Sequence, residues 1–202
     1  MAEQITLRAY TERIENFLRI GRMDEAVAHG THVLQSYPKH ADTYRTLGVA
    51  LVRQKRYDEA GEIFRRLLAA MPDDFSAHYQ LSEVYEQQGR GDAALWHIER
   101  AFDQEPNNTE VADRLREIYK KFRDVDVTKI QLTAGAVAKQ YTRAGMTSRA
   151  IDVLRKTLRR MPDRADLRLS LATALWQNGN HIDAAEQAMQ VLKVYPYALQ
   201  AN

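Results

Sequence analysis

The sequence predicts an all-α solenoid of antiparallel helix pairs, and three regularities of spacing predict it. Five prolines occur in the 202 residues, Pro38, Pro72, Pro106, Pro162 and Pro196, at intervals of 34, 34, 56 and 34. Twelve residues before each proline stands an alanine: Ala26, Ala60, Ala94, Ala150 and Ala184. Five residues before four of those alanines stands a glycine, at Gly21, Gly89, Gly145 and Gly179, and Lys55 holds the fifth place. A period of about 34 residues is that of a helix–turn–helix repeat.

Each mark has a physical reason. The alanine is where the two helices of a pair approach too closely for a larger side chain. The glycine ends the first helix, because a left-handed terminal residue without a Cβ meets no clash. The proline ends or follows the second helix, since it cannot continue the i→i−4 ladder. Between these marks the apolar residues recur at helical spacing, as in Ala60, Ile63, Phe64, Leu67 and Leu68. One hairpin cannot bury such faces alone, whereas stacked neighbours can, giving a curved right-handed rod with a concave and a convex side.

The units in order are 7–40, 41–74, 75–108, 131–164 and 165–198. The second reads Tyr44-x-x-Leu47-Gly48-x-x-Leu51, then Tyr57, Ala60, Phe64 and Pro72. The third reads His78-x-x-Leu81-Ser82-x-x-Tyr85, then Gly91, Ala94, Ile98 and Pro106. This pattern resembles the tetratricopeptide repeat, with departures at Arg13 and Gly30, where the pattern asks for apolar groups.

Residues 109–130 interrupt the register. Thr109–Phe122 reads as another first helix, with Ala112, Leu115, Ile118 and Tyr119 on its apolar side and charges opposite, as a capping helix would have. Arg123–Val127 then leads into an expected long helix over Thr128–Ala144. Two first helices in succession disturb an up–down stack. Either 123–130 runs extended, spanning about 26 Å at ~3.3 Å per residue, or the long helix takes the place of a second helix. Both readings kink or split the rod, giving a block 1–122 (three repeats and a cap-like helix) and a block 123–202 (two repeats). The stretch lacks the Gly, Ser and Pro of a free tether, which favours a bend. No polar helix follows Ala185, Ala188, Val191 and Leu192, so this end is expected to continue in a longer array or to bury itself against a partner, self-association included.

Composition narrows the function. The chain has no cysteine, which removes disulfides and thiolate chemistry. No run approaches the ~18 apolar residues of a membrane span, and Met1–Arg13 has no apolar run, so a cytoplasmic setting is expected. His29 and His32 lie at i and i+3 beside Glu25, a spacing that could bring ligands to a metal, but solvated side chains on a helix explain them more simply. His78 falls on a packing slot. Gly89-Arg90-Gly91-Asp92 lacks the preceding strand of a phosphate loop. The acidic pairs fall in turns and first helical turns, where the helix dipole favours them. No catalytic, metal-binding or cofactor-binding residue is assigned, and an enzyme is disfavoured.

Where the partners of tetratricopeptide arrays are known, an extended or helical peptide lies against the concave side, lined by the first helices. The resemblance therefore implies a groove containing Arg45, Val49, Val52 and Arg53, then Tyr79, Gln80, Glu83 and Gln87, then Lys139, Thr142 and Arg143. The carboxylate clamp of some chaperone-binding members is absent, since its positions carry Thr11, Glu15, Thr46, Ser76 and Gln80. Trp96 replaces Ala28, Glu62, Asp152 or Glu186 of other units, a convex position. Trp176 replaces Leu18, Val52, Glu86 or Thr142, near the concave rim. Both are candidate exposed anchors, with a core role the competing reading and the favoured one for Trp176.

The function expected is a non-catalytic scaffold or adaptor that binds a protein or peptide. One alternative is nucleic-acid or anionic-surface binding through 114–168, where fifteen Lys and Arg face six Asp and Glu. It is disfavoured, because Tyr119 and Tyr141 fall on packing positions and leave little aromatic surface for bases. Another is a regulatory arm of a larger enzyme.

Overall fold

The computed structural model of the protein describes residues 6–126 and 130–201. Among these residues there are eleven helices and no strand. They are α1 (Leu7–Arg19), α2 (Met23–Ser36), α3 (Ala41–Arg53), α4 (Tyr57–Ala70), α5 (Phe75–Gln87), α6 (Gly91–Gln104), α7 (Thr109–Arg123), α8 (Ala134–Arg143), α9 (Thr147–Arg160), α10 (Ala165–Gln177) and α11 (His181–Val194). The chain forms two compact units, Met1–Leu67 and Leu68–Asn202, so the stretch 123–130 lies inside the second.

One turn recurs within the helix pairs. Gly21, Gly89, Gly145 and Gly179 have φ of 83°, 71°, 72° and 82°, and Lys55 takes the same place at 61°. The residue after each bonds back to the preceding helix: Arg22 N to Phe17 O at 2.9 Å, Arg56 N to Leu51 O at 2.9 Å, Arg90 N to Tyr85 O at 2.8 Å. This is a Schellman closure. Its last residue also opens the next helix, so the N-cap N–H groups of α2, α6, α9 and α11 are already engaged, and none of those caps makes a side-chain hydrogen bond. The first helices other than α10 are capped differently, by Thr6, His40, Asp74, Asn108 and Thr133 side chains on α1, α3, α5, α7 and α8.

The alanines mark the close approaches as expected. Ala26, Ala60, Ala94 and Ala150 are 0% exposed and Ala184 is 4% exposed. In the first unit Ile14, Phe17, Ala26, Val33 and Ala50 form one core cluster. Gly48 makes room there for the buried Phe64 ring, since a Cβ at residue 48 would stand 2.4 Å from Phe64 Cζ.

The second unit resolves the interruption. Both α7 and α8 pack on α6. α7 runs antiparallel along it, with Tyr119 Oη donating to Glu99 at 2.7 Å. α8 meets the other end of α6, where Lys139 donates to Gln104 at 2.9 Å and Arg143 to Glu105 at 2.9 Å. The long helix expected from Thr128 is corrected: residues 127–129 lie outside the described residues, 130–133 are not helical, and α8 begins at Ala134. Thr133 is the reason, because its hydroxyl accepts from Ala136 N at 3.1 Å and so starts the helix there. From α8 onward the register resumes, α9 pairing with α8 and α11 with α10 around Ala150, Leu154, Leu167, Leu171 and Ala184. The final turn returns to the start of the unit, where Leu199 N donates to Ala70 O at 2.9 Å.

Lys55 is the one non-glycine residue in the left-handed turn position, at a cost of about 1–2 kcal/mol. Lys55→Gly should therefore raise the unfolding free energy by about 1 kcal/mol in urea titration, after glycine's greater unfolded-state freedom is offset. Gly48→Ala should lower it by about 1–3 kcal/mol, because the Phe64 ring is fully enclosed.

Candidate functional site

In the first unit the groove candidates lie on α3. Arg53 is exposed, and its guanidinium donates to the Leu18 carbonyl at 2.9 Å, satisfying an open carbonyl at the end of α1. Arg45 pairs with Asp42, and Val49 is half-buried. Val52 is only 7% exposed and belongs to the core instead. Its carbonyl accepts from Lys55 N in the turn that follows.

In the second unit α7, not α8, lies beside the candidates of α5. Tyr79 is half-buried, stacks on Phe75 with centroids 6.0 Å apart, and donates to Glu110 of α7 at 2.9 Å. Burial, reinforced by that bond, pushes the Tyr79 phenol up to about 12. Gln80 and Glu83 are half-buried and Gln87 is exposed on the same helix. Two turns beyond Tyr79, Arg114 and Lys121 of α7 both reach Glu86 of α5. Lys139, Thr142 and Arg143 are not brought to this face. Lys139 and Arg143 hold the end of α6, and Thr142 donates to the Ala138 carbonyl of its own helix at 3.0 Å.

A buried polar cluster lies between these helices, and sequence reasoning missed it. Arg164, the residue opening α10, turns inward instead of leaving its side chain in solvent. Its Nε and Nη2 donate to the two Asp166 oxygens at 2.8 and 2.6 Å, and Nη2 also donates to Asp103 of α6 at 2.7 Å. Asp103 in turn accepts from the Thr133 hydroxyl. One guanidinium thus faces two carboxylates, all buried. Burial favours the neutral acid at both. At Asp166 the two-pronged Arg164 bond outweighs burial and holds the carboxyl below its usual range. At Asp103 burial prevails, and the carboxyl is raised despite Thr133 and Arg164.

His78 sits 1% exposed beside this cluster. Its Nε2 lies 3.0 Å from the Pro72 carbonyl, which can only accept, so Nε2 carries the proton and Nδ1 accepts from His97 Nδ1 at 2.9 Å. Tyr44 and Arg168, in the same register slot, likewise donate to the Pro38 and Pro162 carbonyls at 3.0 and 2.8 Å. The packing slot read from the sequence is therefore also a tie to the preceding loop. His29, weighed above as a metal ligand, bonds Tyr10 Oη at 2.6 Å and stacks on Phe17.

The two tryptophans differ from each other. Trp96 is 45% exposed and stands edge-on to His97 at 4.7 Å between centroids, with Arg100 stacked on its ring at 4.7 Å. Trp176 is 62% exposed, which overturns the core role favoured for it. It stands near the end of α10, edge-on to His181 at 4.4 Å, and walls a groove of about 450 Å³ that α10, α11, Gln200 and Ala201 line.

Part of the basic stretch 114–168 is paired. Arg116, Arg123, Arg143 and Arg155 reach Asp113, Asp92, Glu105 and Asp183, in addition to the Arg114 and Arg164 bonds. No helix of the described residues is long and apolar enough to cross a membrane.

Comparison with known proteins bears on this architecture. The tetratricopeptide repeat model matches residues 18–81 and 51–118. A second model, for the N-terminal TPR repeats of surface lipoprotein assembly modifiers, matches 97–188. No curated protein matches the sequence. Among solved structures, a MamA protein is similar at 17% identity and a TM-score of 0.52, over 92% of this chain and 90% of that one. The 41-to-end portion of MamA from Desulfovibrio magneticus RS-1 is similar at 18% identity and 0.52, over 92% and 93%. YrrB, described as a TPR protein with an unusual peptide-binding site, is similar at 18% identity and 0.51, over 95% and 88%. At these identities the likeness is one of fold.

The buried cluster makes two measurable demands. Asp166→Asn should destabilise the protein by about 3 kcal/mol, as breaking a buried ion pair does, whereas Asp103→Asn should cost less than about 1 kcal/mol, because burial already disfavours the Asp103 charge. Burial lowers His78 from 6.5 to about 4. Between those values the unfolded chain binds the extra proton, so stability is full above pH 6.5 and is lost as pH falls toward 4, at about 1.4 kcal/mol per pH unit for one proton. Denaturation followed against pH should show that slope, and His78→Gln should flatten it.

Proposed function

Since the chain belongs to the tetratricopeptide repeat family, we propose that it is a non-catalytic protein-interaction scaffold, capturing a peptide or partner protein on the face its first helices line. The observation that carries this reading is the α5–α7 face. Tyr79 is held in one orientation by Glu110, with Gln80, Glu83 and Gln87 following along α5. A fixed, half-exposed aromatic ring supplies apolar area at low entropic cost, and amide and carboxylate groups beside it suit the backbone and cationic side chains of a peptide. Arg53 on α3 is a second candidate point of attachment, fixed by the Leu18 carbonyl. The peptide-binding description of YrrB, a protein of similar fold, is consistent with this use of the architecture.

The pairing of Arg114, Arg116, Arg123, Arg143, Arg155 and Arg164 with carboxylates supports a protein partner over a nucleic acid or an anionic surface. Cations already neutralised in the fold release fewer counterions on meeting a polyanion.

Affinity capture from the native cell, repeated with Tyr79→Ala and with Arg53→Glu, tests the assignment. Loss of Tyr79 should weaken the main recovered partner by about tenfold or more, as truncating an anchoring aromatic does. An unchanged set of recovered proteins with both variants would remove the groove from consideration.

A further inference from the structure

The charges on the α5–α7 face are unevenly settled. Arg114 of α7 bonds Glu86 and Glu117, Lys121 bonds Glu86, and Arg116 bonds Asp113, so these groups neutralise one another within the fold. Glu83 and Glu110 stand outside that scheme. Among the described residues of this unit neither has a cationic partner: Glu110 accepts only from the neutral Tyr79 phenol, at 2.9 Å, and no bond engages Glu83.

Both carboxylates sit beside one ring. Glu83 follows Tyr79 by four residues on α5, which puts the two side chains on one helix face, and Glu110 holds the phenol end from α7. The phenol registers them both. Burial first, then the Glu110 bond and the charges of Glu110 and Glu83, raise its pKa, while Arg114 lowers it. Phe75 stacks on one side of the ring at 6.0 Å between centroids, and Tyr79 stays partly in water. An aromatic ring flanked by two unneutralised carboxylates attracts a cation through its quadrupole and through charge together. Glu83 is half-buried, so its charge is screened less than a fully exposed one and gains more from a fixed counter-charge. A guanidinium suits this place better than an ammonium. It is planar and weakly hydrated, it stacks on aromatic faces, and its N–H donors lie in one plane that can reach a carboxylate on either side.

We infer that the peptide held on the α5–α7 face carries an arginine, its guanidinium lying on the Tyr79 ring between Glu83 and Glu110. This rests on the proposal that the face binds a peptide, and adds the side chain that the face selects.

Selection of random peptides displayed on phage, with the purified chain as bait, tests both levels. Recovered peptides should share an arginine. In a synthetic peptide of the recovered sequence, citrulline in place of that arginine keeps the shape without the charge and should weaken binding at least about tenfold in calorimetric titration. Glu83→Gln and Glu110→Gln should each weaken it about three- to tenfold. Glu110→Gln keeps an acceptor for the Tyr79 hydroxyl, so its effect reports charge rather than ring orientation. Glu83→Arg should weaken the arginine peptide at least about 30-fold, and the same library should then yield peptides with aspartate or glutamate in its place. Circular dichroism and the melting temperature verify that each variant folds. Recovered peptides without a shared arginine, whose binding Tyr79→Ala still weakens, would keep the face and overturn the arginine. Arginine peptides indifferent to all three glutamate variants, or to citrulline, would overturn it as well. Recovery of no peptide, or of peptides indifferent to Tyr79→Ala, would remove the face itself and the inference with it.

Discussion

The turn inside each helix pair is the constraint from which the rest follows. A residue with positive φ and a bond from the next N–H back to the previous helix reverse the chain in so few residues that the two helices must touch almost at once. Touching helices admit only a small side chain at their crossing, and Ala26, Ala60, Ala94, Ala150 and Ala184 supply it. A pair closed this tightly buries one stripe and leaves another bare. Its remaining apolar face can be hidden only by the following unit, which makes the array a matter of neighbours rather than of one common core.

That logic explains how the fold absorbs an extra first helix. α6 offers two places to lie, along its length and at its carboxyl end, and α7 and α8 take one each. The end of a helix is a poor apolar surface, because it presents open carbonyls and polar loops. The junction is accordingly polar: Lys139 and Arg143 meet Gln104 and Glu105, and Arg164 reaches Asp103. A buried guanidinium shared between carboxylates adds little net stability over an apolar core, but few arrangements of the surrounding helices satisfy it. It ties the start of α10 to the carboxyl end of α6.

The proposed functional surface follows from which face this scheme leaves over. Side chains on α5 that no second helix covers are fixed by α7, giving Tyr79 an orientation without burying it fully.

Much of this was legible in the linear chain, because the energies that set helix ends and close crossings are local. Proline, alanine and glycine positions identified the fold class, the pairs and the tetratricopeptide pattern, and even Lys55 was found in its place by spacing alone. The start of α8 was misread, since a first-helix pattern over Thr128–Ala144 does not reveal that the Thr133 hydroxyl will cap a helix. Val52 and Trp176 exchanged roles for a related reason: equal register in a repeat does not mean equal burial when the neighbouring unit differs. The sequence by itself determined the units and their hydrogen-bonded turns. Only the tertiary structure decided that Arg164 would meet Asp103, 61 residues away, that both α7 and α8 would share α6, and which aromatic rings stayed in water. Those outcomes rest on desolvation and packing between distant segments, quantities that exist only once the segments have been brought together.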